Sequence, residues 1–303
     1  MNYKIAHSTT YQYSTPVSVC HNVVVLAPQV SRHLHLTSHR LLVRPAPERI
    51  EERTDMFGNT IHRFSLGEHH SQLVISSTSQ VTVTPPILPQ FENSPSCSDV
   101  KAGIAQQTDA NWLSVSAHRF DSPRITRTVA YAEYAASVMR DDIPVLVAAR
   151  ELTRRIFDDF TYDSDATDVN TPTDTAFASR SGVCQDFAHI AVTCLRSLEL
   201  PARYVSGYLR TIPQEGKERL IGADQSHAWV AVYCGSELGW VEFDPTNNCV
   251  CGSDHIPIAY GRDYGDVVPI KGVFLGGGEP VLSVSVDVAP EDNQPAATPG
   301  PAI

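Results

Sequence analysis

The chain has 303 residues, 42% of them apolar, with a mean hydropathy of −0.16 and a formal net charge of −11. No apolar run approaches the roughly 20 residues needed to cross a bilayer. Residues 1–97 carry seven basic and six acidic side chains, which leaves a net −12 on the remainder and argues against nucleic-acid binding, since counterion release needs clustered Lys and Arg. Seven cysteines at irregular spacing fit reduced thiols better than the even disulfide framework of a small secreted protein. The opening MNYKIAHSTTYQYS has no apolar signal region, so the expected location is the cytoplasm, with no membrane partner.

Along residues 1–85, Tyr3, Ile5, His7, Thr9, Tyr11 and Tyr13 fall on one face of a period-two pattern, the mark of a β-strand. Further strand-like runs follow at Val17–Leu26, His39–Val43 and Leu73–Val83, and DMFGNTIHRF places a Gly58-Asn59 turn before Ile61. Their sum predicts an antiparallel β-sandwich. Pro85, Pro86, Pro89 and Pro95, set among Asn and Ser, then break any regular pattern, so a β-rich domain with its linker is expected over 1–97. A second unit is expected over 98–286.

That second unit opens with helices. Val145, Ala148, Ala149, Leu152 and Ile156 form one helical stripe, and from about Val183 to Leu198 the residues Phe187, Ile190, Ala191, Cys194 and Leu195 are spaced for one buried face before Pro201. Four strand-like runs follow: ARYVSGYL, HAWVAVYC, GWVEFD and VLSVSVDV. The last residues, EDNQPAATPGPAI, lack apolar periodicity and are rich in Pro and Ala, and a disordered tail is expected over 287–303. The fold class is thus α+β, helix first and then sheet.

Cys184 lies in RSGVCQDFAH at the start of the predicted amphipathic helix, where unpaired backbone N–H groups concentrate positive potential and favour a thiolate. A thiol nucleophile also needs an imidazole close in space, and His227 in SHAWVAVY sits at the start of a predicted strand. Asp244 ends the next run, GWVEFD, where an antiparallel pair would bring its carboxylate beside that imidazole. Cys194 and His189 read as structural. Gln185 and Asp186 read more as helix N-terminal support than as substrate contacts. Trp229 fits either the acyl site or inner-sheet packing.

GVCQDFAH, LPARYVSGYL, SHAWVAVY and GWVEFDPTNN, in this order and at these spacings, resemble the core of the transglutaminase-like superfamily in its bacterial, cysteine-protease-like branch. YQYSTPVSV, VRPAPE, DMFGN and LVISSTSQVTV resemble the β-rich N-terminal domain that precedes this core, so the likeness spans roughly residues 2 to 270. It departs from the usual pattern at HNVVVLAPQV, which lacks a basic residue before the leucine, and at the compact SELGW turn. The resemblance implies a papain-like core with Cys184 as nucleophile, His227 as general base and acid, and Asp244 orienting the imidazole, which is the assignment the chemistry of the residues reaches independently. Tyr162 in FTYD is a candidate donor to an oxyanion only by its resemblance to the polar or aromatic group that related thiol enzymes place upstream of the cysteine.

The expected function is acyl transfer on amide or peptide bonds through a Cys-His-Asp triad and a thioester, with hydrolysis by a cysteine peptidase or amidase ahead of transamidation to a primary-amine acceptor. A catalytically idle interaction module is the rival from another class, and the presence of all three residues argues against it. No metal is expected: His33, His35, His69 and His70 read as solvent-facing strand and loop residues, and the loop thiols Cys249 and Cys251 would need two further ligands. No cofactor is expected either, because the Gly276-Gly277-Gly278 run lacks a following Lys-Ser/Thr.

Overall fold

The computed structural model describes residues 1–107, 112–211 and 225–291. In chain order it contains β1 (Asn2–Val24), β2 (Leu34–Arg44), β3 (Ile50–Thr54), β4 (Thr60–Leu66), β5 (His70–Val83), α1 (Cys97–Ala105), α2 (Trp112–Ser116), α3 (Val129–Ala136), α4 (Val145–Asp159), β6 (Thr161–Tyr162), α5 (Thr173–Ser179), β7 (Ser181–Gly182), α6 (Cys184–Ser197), β8 (Ala202–Leu209), β9 (Gln225–Tyr233), β10 (Trp240–Asp244), β11 (Cys249–Val250), β12 (His255–Gly261), β13 (Ile270–Gly276) and β14 (Pro280–Pro290). The fold is α+β, as its sequence pattern implies. The part of the expected tail beyond residue 291 lies outside the described residues.

The N-terminal half is a curled antiparallel sheet organised by β1. The alternation in its sequence puts Tyr3, Ile5, His7, Thr9 and Tyr13 inside. One side of β1 pairs with β5 over its first half and β4 over its second, and β2 and β3 continue the sheet outward. Residues from both halves, among them Tyr13, Val24, Phe64 and Ile75, meet in one apolar cluster as the sheet curls on itself. The Gly58 turn forms as expected: Gly58 has φ 86, the left-handed region that favours glycine, and Asp55 caps the turn by accepting from the backbone N–H groups of Phe57 and Asn59.

The other side of β1 is filled from the far end of the chain. The run VLSVSVDV, expected among the strands of the second unit, is β14, and it pairs with β1 from Tyr3↔Pro290 to Tyr13↔Pro280; β13 pairs with the rest of β1. Strand propensity and alternation identify such a run but not its partner, which is a long-range choice. The strand β12 falls in a stretch where no strand is expected from the sequence, and it contains Pro257. Pro257 lies at a register irregularity on the edge strand of its sheet, a place where the missing N–H is tolerated.

The core sheet runs β11-β10-β9-β8-β12, antiparallel throughout. Across it lies α6, whose residues Gln185 to Arg196 are all buried. The sequence implied one buried face; the helix is enclosed instead, with β8 and β9 on one side and α3, α4 and α5 on the other. The stripe Val145, Ala148, Ala149, Leu152 and Ile156 of α4 is buried as its spacing implies. Near the end of α6 the buried Arg196 guanidinium donates to the carbonyls of Ala202, Phe120 and Arg262, pinning the helix to β8 and to two loops.

The two halves share an apolar cluster, with Tyr3, Ile5, Val81, Val286 and Val288 of the curled sheet packed on Tyr208, Ile256 and Ile258 of the core. A polar staple sits beside it. The fully buried side-chain amide of Asn59 donates to the Tyr260 carbonyl at 2.7 Å and accepts from the Tyr260 N–H at 2.8 Å, acting as a strand partner for edge strand β12. Its second N–H goes to Asp55 at 2.8 Å. Asn59→Ala leaves both Tyr260 backbone groups without these partners, and the expected loss is about 2–4 kcal/mol, read as a lower urea midpoint at unchanged slope. A loss below about 0.5 kcal/mol would show that water replaces the amide without cost.

Candidate active site

The site begins with a glycine that has to be small. At Gly182 a Cβ would lie 2.6 Å from Oδ2 of Asp186, because that carboxylate folds back over the residue to accept the Val183 N–H at 2.9 Å and the Thr167 hydroxyl at 2.6 Å. Of the two residues expected to support the helix start, Asp186 does so. Gln185 is buried, donates to the Val169 carbonyl at 3.2 Å, and lines the cavity beside Cys184. Cys184 therefore opens α6 half-buried. Its own N–H and that of Gln185 stand in the first turn, where the helix offers no internal acceptor.

His227 comes from β9, in register with Gly207 of β8, and is buried. Its Nε2 lies 2.7 Å from Oδ2 of Asp244 at the end of β10. An ionised carboxylate only accepts, so Nε2 carries the proton and Nδ1 is left for the thiol. Burial pushes the His227 pKa down, but hydrogen bonds to Asp244 and Cys184 and the charges of both outweigh it and raise the value to about 10. Asp244 is lowered: burial opposes the charge, and hydrogen bonds from His227, His255 and Asn247 more than offset it. The turn after β10 completes the shell, with the backbone N–H groups of Thr246 and Asn247 donating to Oδ1 at 2.8 and 3.2 Å and the Asn247 amide to Oδ2 at 2.6 Å.

His255 was missed in the sequence. Its Nε2 lies 3.1 Å from the same Oδ2, while its Nδ1 accepts from the Gly252 N–H at 3.4 Å, which fixes the tautomer that donates to Asp244. No local signal marks it, because it begins the unrecognised β12. His227, Asp244 and His255 also form the one group of three possible metal ligands among the described residues. A tetrahedral zinc with bonds of about 2.0–2.1 Å would hold its ligands about 3.3 Å apart. The 2.7 Å separation of His227 from Asp244 is that of a hydrogen bond.

Other sequence candidates fall as follows. Trp229 is fully buried, donates Nε1–H to Glu242 at 2.7 Å, and packs with Val205, Ala231 and Tyr260, so it belongs to the inner sheet rather than the cavity wall. Tyr162 sits half-exposed on β6, in register with Gly182; burial raises its hydroxyl pKa, and the neighbouring Cys184 adds to the rise. His189 is a core residue whose Nε2 accepts the Tyr264 N–H, and burial lowers its pKa to about 3. His70, expected to face solvent, is buried, with Nδ1 on the Glu68 carbonyl and Nε2 near the Cys20 thiol. Cys249 and Cys251, expected as loop thiols, lie on β11 and in the buried cluster around Trp229.

Cys184 and His227 open into a cavity of about 380 Å³ whose far wall is the curled sheet. The arrangement can activate a thiol, protonate a leaving group from the same imidazolium, and offer two N–H groups to an oxyanion.

A cysteine at a helix N-terminus facing a His–Asp pair presented by an antiparallel sheet defines a papain-like core. Comparison with known proteins places the chain within that class. The family model of the transglutaminase-like superfamily matches residues 132–245, and that of the bacterial transglutaminase-like N-terminal region matches residues 3–82. The chain is 37% identical to an uncharacterised protein of Mycobacterium tuberculosis over 95% of this chain and 92% of that one. It therefore belongs to the transglutaminase-like superfamily, with the bacterial N-terminal region. A crystal structure from Cytophaga hutchinsonii, provisionally assigned as a cysteine protease, shares the fold at a TM-score of 0.72 and 23% identity, covering 96% of this chain and 92% of that one. A protein-glutamine gamma-glutamyltransferase of Pseudomonas aeruginosa is 35% identical over 88 residues, 29% of this chain and 13% of that protein.

Two measurements probe this geometry. Burial raises the thiol pKa of Cys20, Cys97, Cys194, Cys234, Cys249 and Cys251, with Cys97 and Cys249 pushed up to about 11. Iodoacetamide at neutral pH should therefore alkylate Cys184 ahead of the other six, and His227→Ala should slow it by about tenfold or more. Equal labelling of Cys184 and Cys249, unchanged in the variant, would sink the activated pair. His255→Leu removes one donor from a buried charge and should cost about 1.5–3 kcal/mol in chemical denaturation while slowing Cys184 alkylation. His255→Gln, which keeps a donor, should recover most of both; indifference to the two changes would reduce His255 to packing.

Proposed function

We propose that the protein is a thiol-dependent acyl-transfer enzyme acting on amide or peptide bonds, with Cys184 as nucleophile, His227 as acid and base, and Asp244 as the residue that orients His227. The observation that carries this reading is the chain of contacts from the fully buried Asp244 through His227 to a half-buried cysteine at a helix N-terminus, with His227 and Cys184 lining an open cavity.

The Cys184 sulfur attacks the carbonyl carbon and the oxygen becomes an oxyanion. The first N–H groups of α6 stabilise it, with the Tyr162 hydroxyl as a further candidate donor. His227, held as imidazolium by Asp244, gives its Nδ1 proton to the departing amine as the C–N bond breaks, leaving a thioester on Cys184. The neutral imidazole then takes a proton from the incoming nucleophile. The thioester collapses to free acid if water attacks and to a new amide if a primary amine does.

Hydrolysis is the first reading, since water reaches a half-buried thiol unless something excludes it. Transamidation is the second, and the likeness to the Pseudomonas glutamyltransferase over 88 residues supports it.

The test uses an activated peptidyl ester as acyl donor, quenched in acid and mapped by mass spectrometry, with and without millimolar primary amine. An acyl adduct on Cys184, absent in Cys184→Ala and resolving mainly to free acid, is the expected result. Amide as the main product at millimolar amine would establish the transferase instead, and no adduct in the wild type would overturn the enzyme reading altogether.

A further inference from the structure

The wall facing Cys184 is built by the curled sheet, and its composition differs from that of the rest of the cavity. Directly opposed residues of an antiparallel pair share a face. The pairs Thr9↔Val284 and Tyr11↔Leu282 thus put four side chains of β1 and β14 on one surface, and all four line the cavity with Cys184 and His227.

Along this inner face of β14 burial changes abruptly. Val288 is 0% exposed and Val286 is 2%, both inside the cluster that joins the two halves of the protein; Val284 is then 49% and Leu282 is 55% exposed. One apolar row begins in the core and runs out into the cavity, where nothing among the described residues covers its last two members. Ile270 and Pro269 extend the apolar wall. Among the described residues lining this cavity there is no Lys or Arg, and Asp168 is the acidic one. Apart from the His227 imidazolium, which is already paired with Asp244, an acidic side chain entering here meets no cation and one like charge, whereas an aliphatic or aromatic one finds apolar surface to cover.

The occupant is an extended peptide. At Leu282 and Val284, β14 has a strand partner among the described residues, β1, on one side and none on the other, so its outer edge there can pair with an added extended chain. A row of side chains at period two is the surface such a chain would meet.

We propose that the inner face of β14 at Leu282 and Val284, with Tyr11 beside them, is the subsite that receives an aliphatic or aromatic side chain next to the amide attacked by Cys184. The inference rests on the acyl-transfer reading above and narrows its substrate to apolar peptide segments. It also assigns the curled sheet a role in specificity, since β1 and β14 supply Thr9, Tyr11, Leu282 and Val284 to this wall.

The test uses two peptidyl acyloxymethyl ketones of equal length, with Leu or Glu beside the reactive carbonyl. Each alkylates a thiol by forming a C–S bond and releasing a carboxylate, and its rate on Cys184 is normalised to iodoacetamide on the same sample. The wild type should prefer the Leu probe by about tenfold or more, the scale expected for covering one apolar side chain. Leu282→Lys should invert that preference, a change of sign that loss of folding does not mimic. Val281→Asp is the control, because Val281 is 71% exposed and does not line the cavity, and it should leave the ratio unchanged.

If iodoacetamide does not select Cys184 in the wild type, the thiol reading fails and this inference goes with it. If iodoacetamide selects Cys184 but the two probes react equally, or Leu282→Lys leaves their ratio unmoved, the subsite alone is overturned. A dimer in sedimentation velocity that Leu282→Lys dissociates would also overturn it, showing that a second copy of the chain covers this face.

Discussion

The structure depends on one charge that has no contact with water. A buried carboxylate is tolerated only when its lone pairs are taken up by donors, and Asp244, with no exposed surface, is surrounded by two imidazoles, an asparagine amide and two backbone N–H groups. Those donors come from β9, β12 and the turn after β10, so satisfying one oxyanion holds together three segments of the core. The same requirement orients His227. With Nε2 committed to Asp244, Nδ1 is the nitrogen left for Cys184, and the geometry of the proposed chemistry follows from the pairing of a charge.

The cysteine is positioned by a parallel device at the other end of the site. Asp186 takes the Val183 N–H and the Thr167 hydroxyl and leaves no room for a side chain at residue 182, so the chain turns into α6 with Cys184 at its first position. Enclosure of α6 by the sheet and three helices, and the three carbonyls held by Arg196, fix that helix against β8 and β9. Cys184 and His227 therefore belong to elements that cannot shift independently, which is what the proposed reaction, needing near-contact geometry, demands.

The curled sheet is joined to this core rather than tethered beside it. Its strand β1 is completed by β13 and β14, which the chain supplies only after the core is finished, and Asn59 supplies the pairing that edge strand β12 otherwise lacks. The DMFGN string recognised in the sequence thus has a physical explanation in the tertiary structure: a turn conformation held by Asp55 and Gly58 aims one amide at the backbone of the other half. The same joining brings Tyr11, Leu282 and Val284 to the wall opposite Cys184.

Local physics was legible in the sequence. The period-two burial of β1, the buried stripe of α4, the start of α6 at Cys184, and the two strands bearing His227 and Asp244 all follow from alternation, helical spacing and the chemistry of a helix N-terminus. Partnership was not. That VLSVSVDV pairs with residue 3 onward rather than with its neighbours, that a strand holding Pro257 sends His255 to the carboxylate of Asp244, that Asp186 rather than Gln185 braces the helix start, and that Trp229 and His70 turn inward were decided by contacts between residues far apart in the chain. Backbone preference and hydrophobic period act over a few residues and leave their trace in every short window, whereas strand partner, register and the burial of a particular polar atom are settled only when distant segments compete to satisfy the same groups.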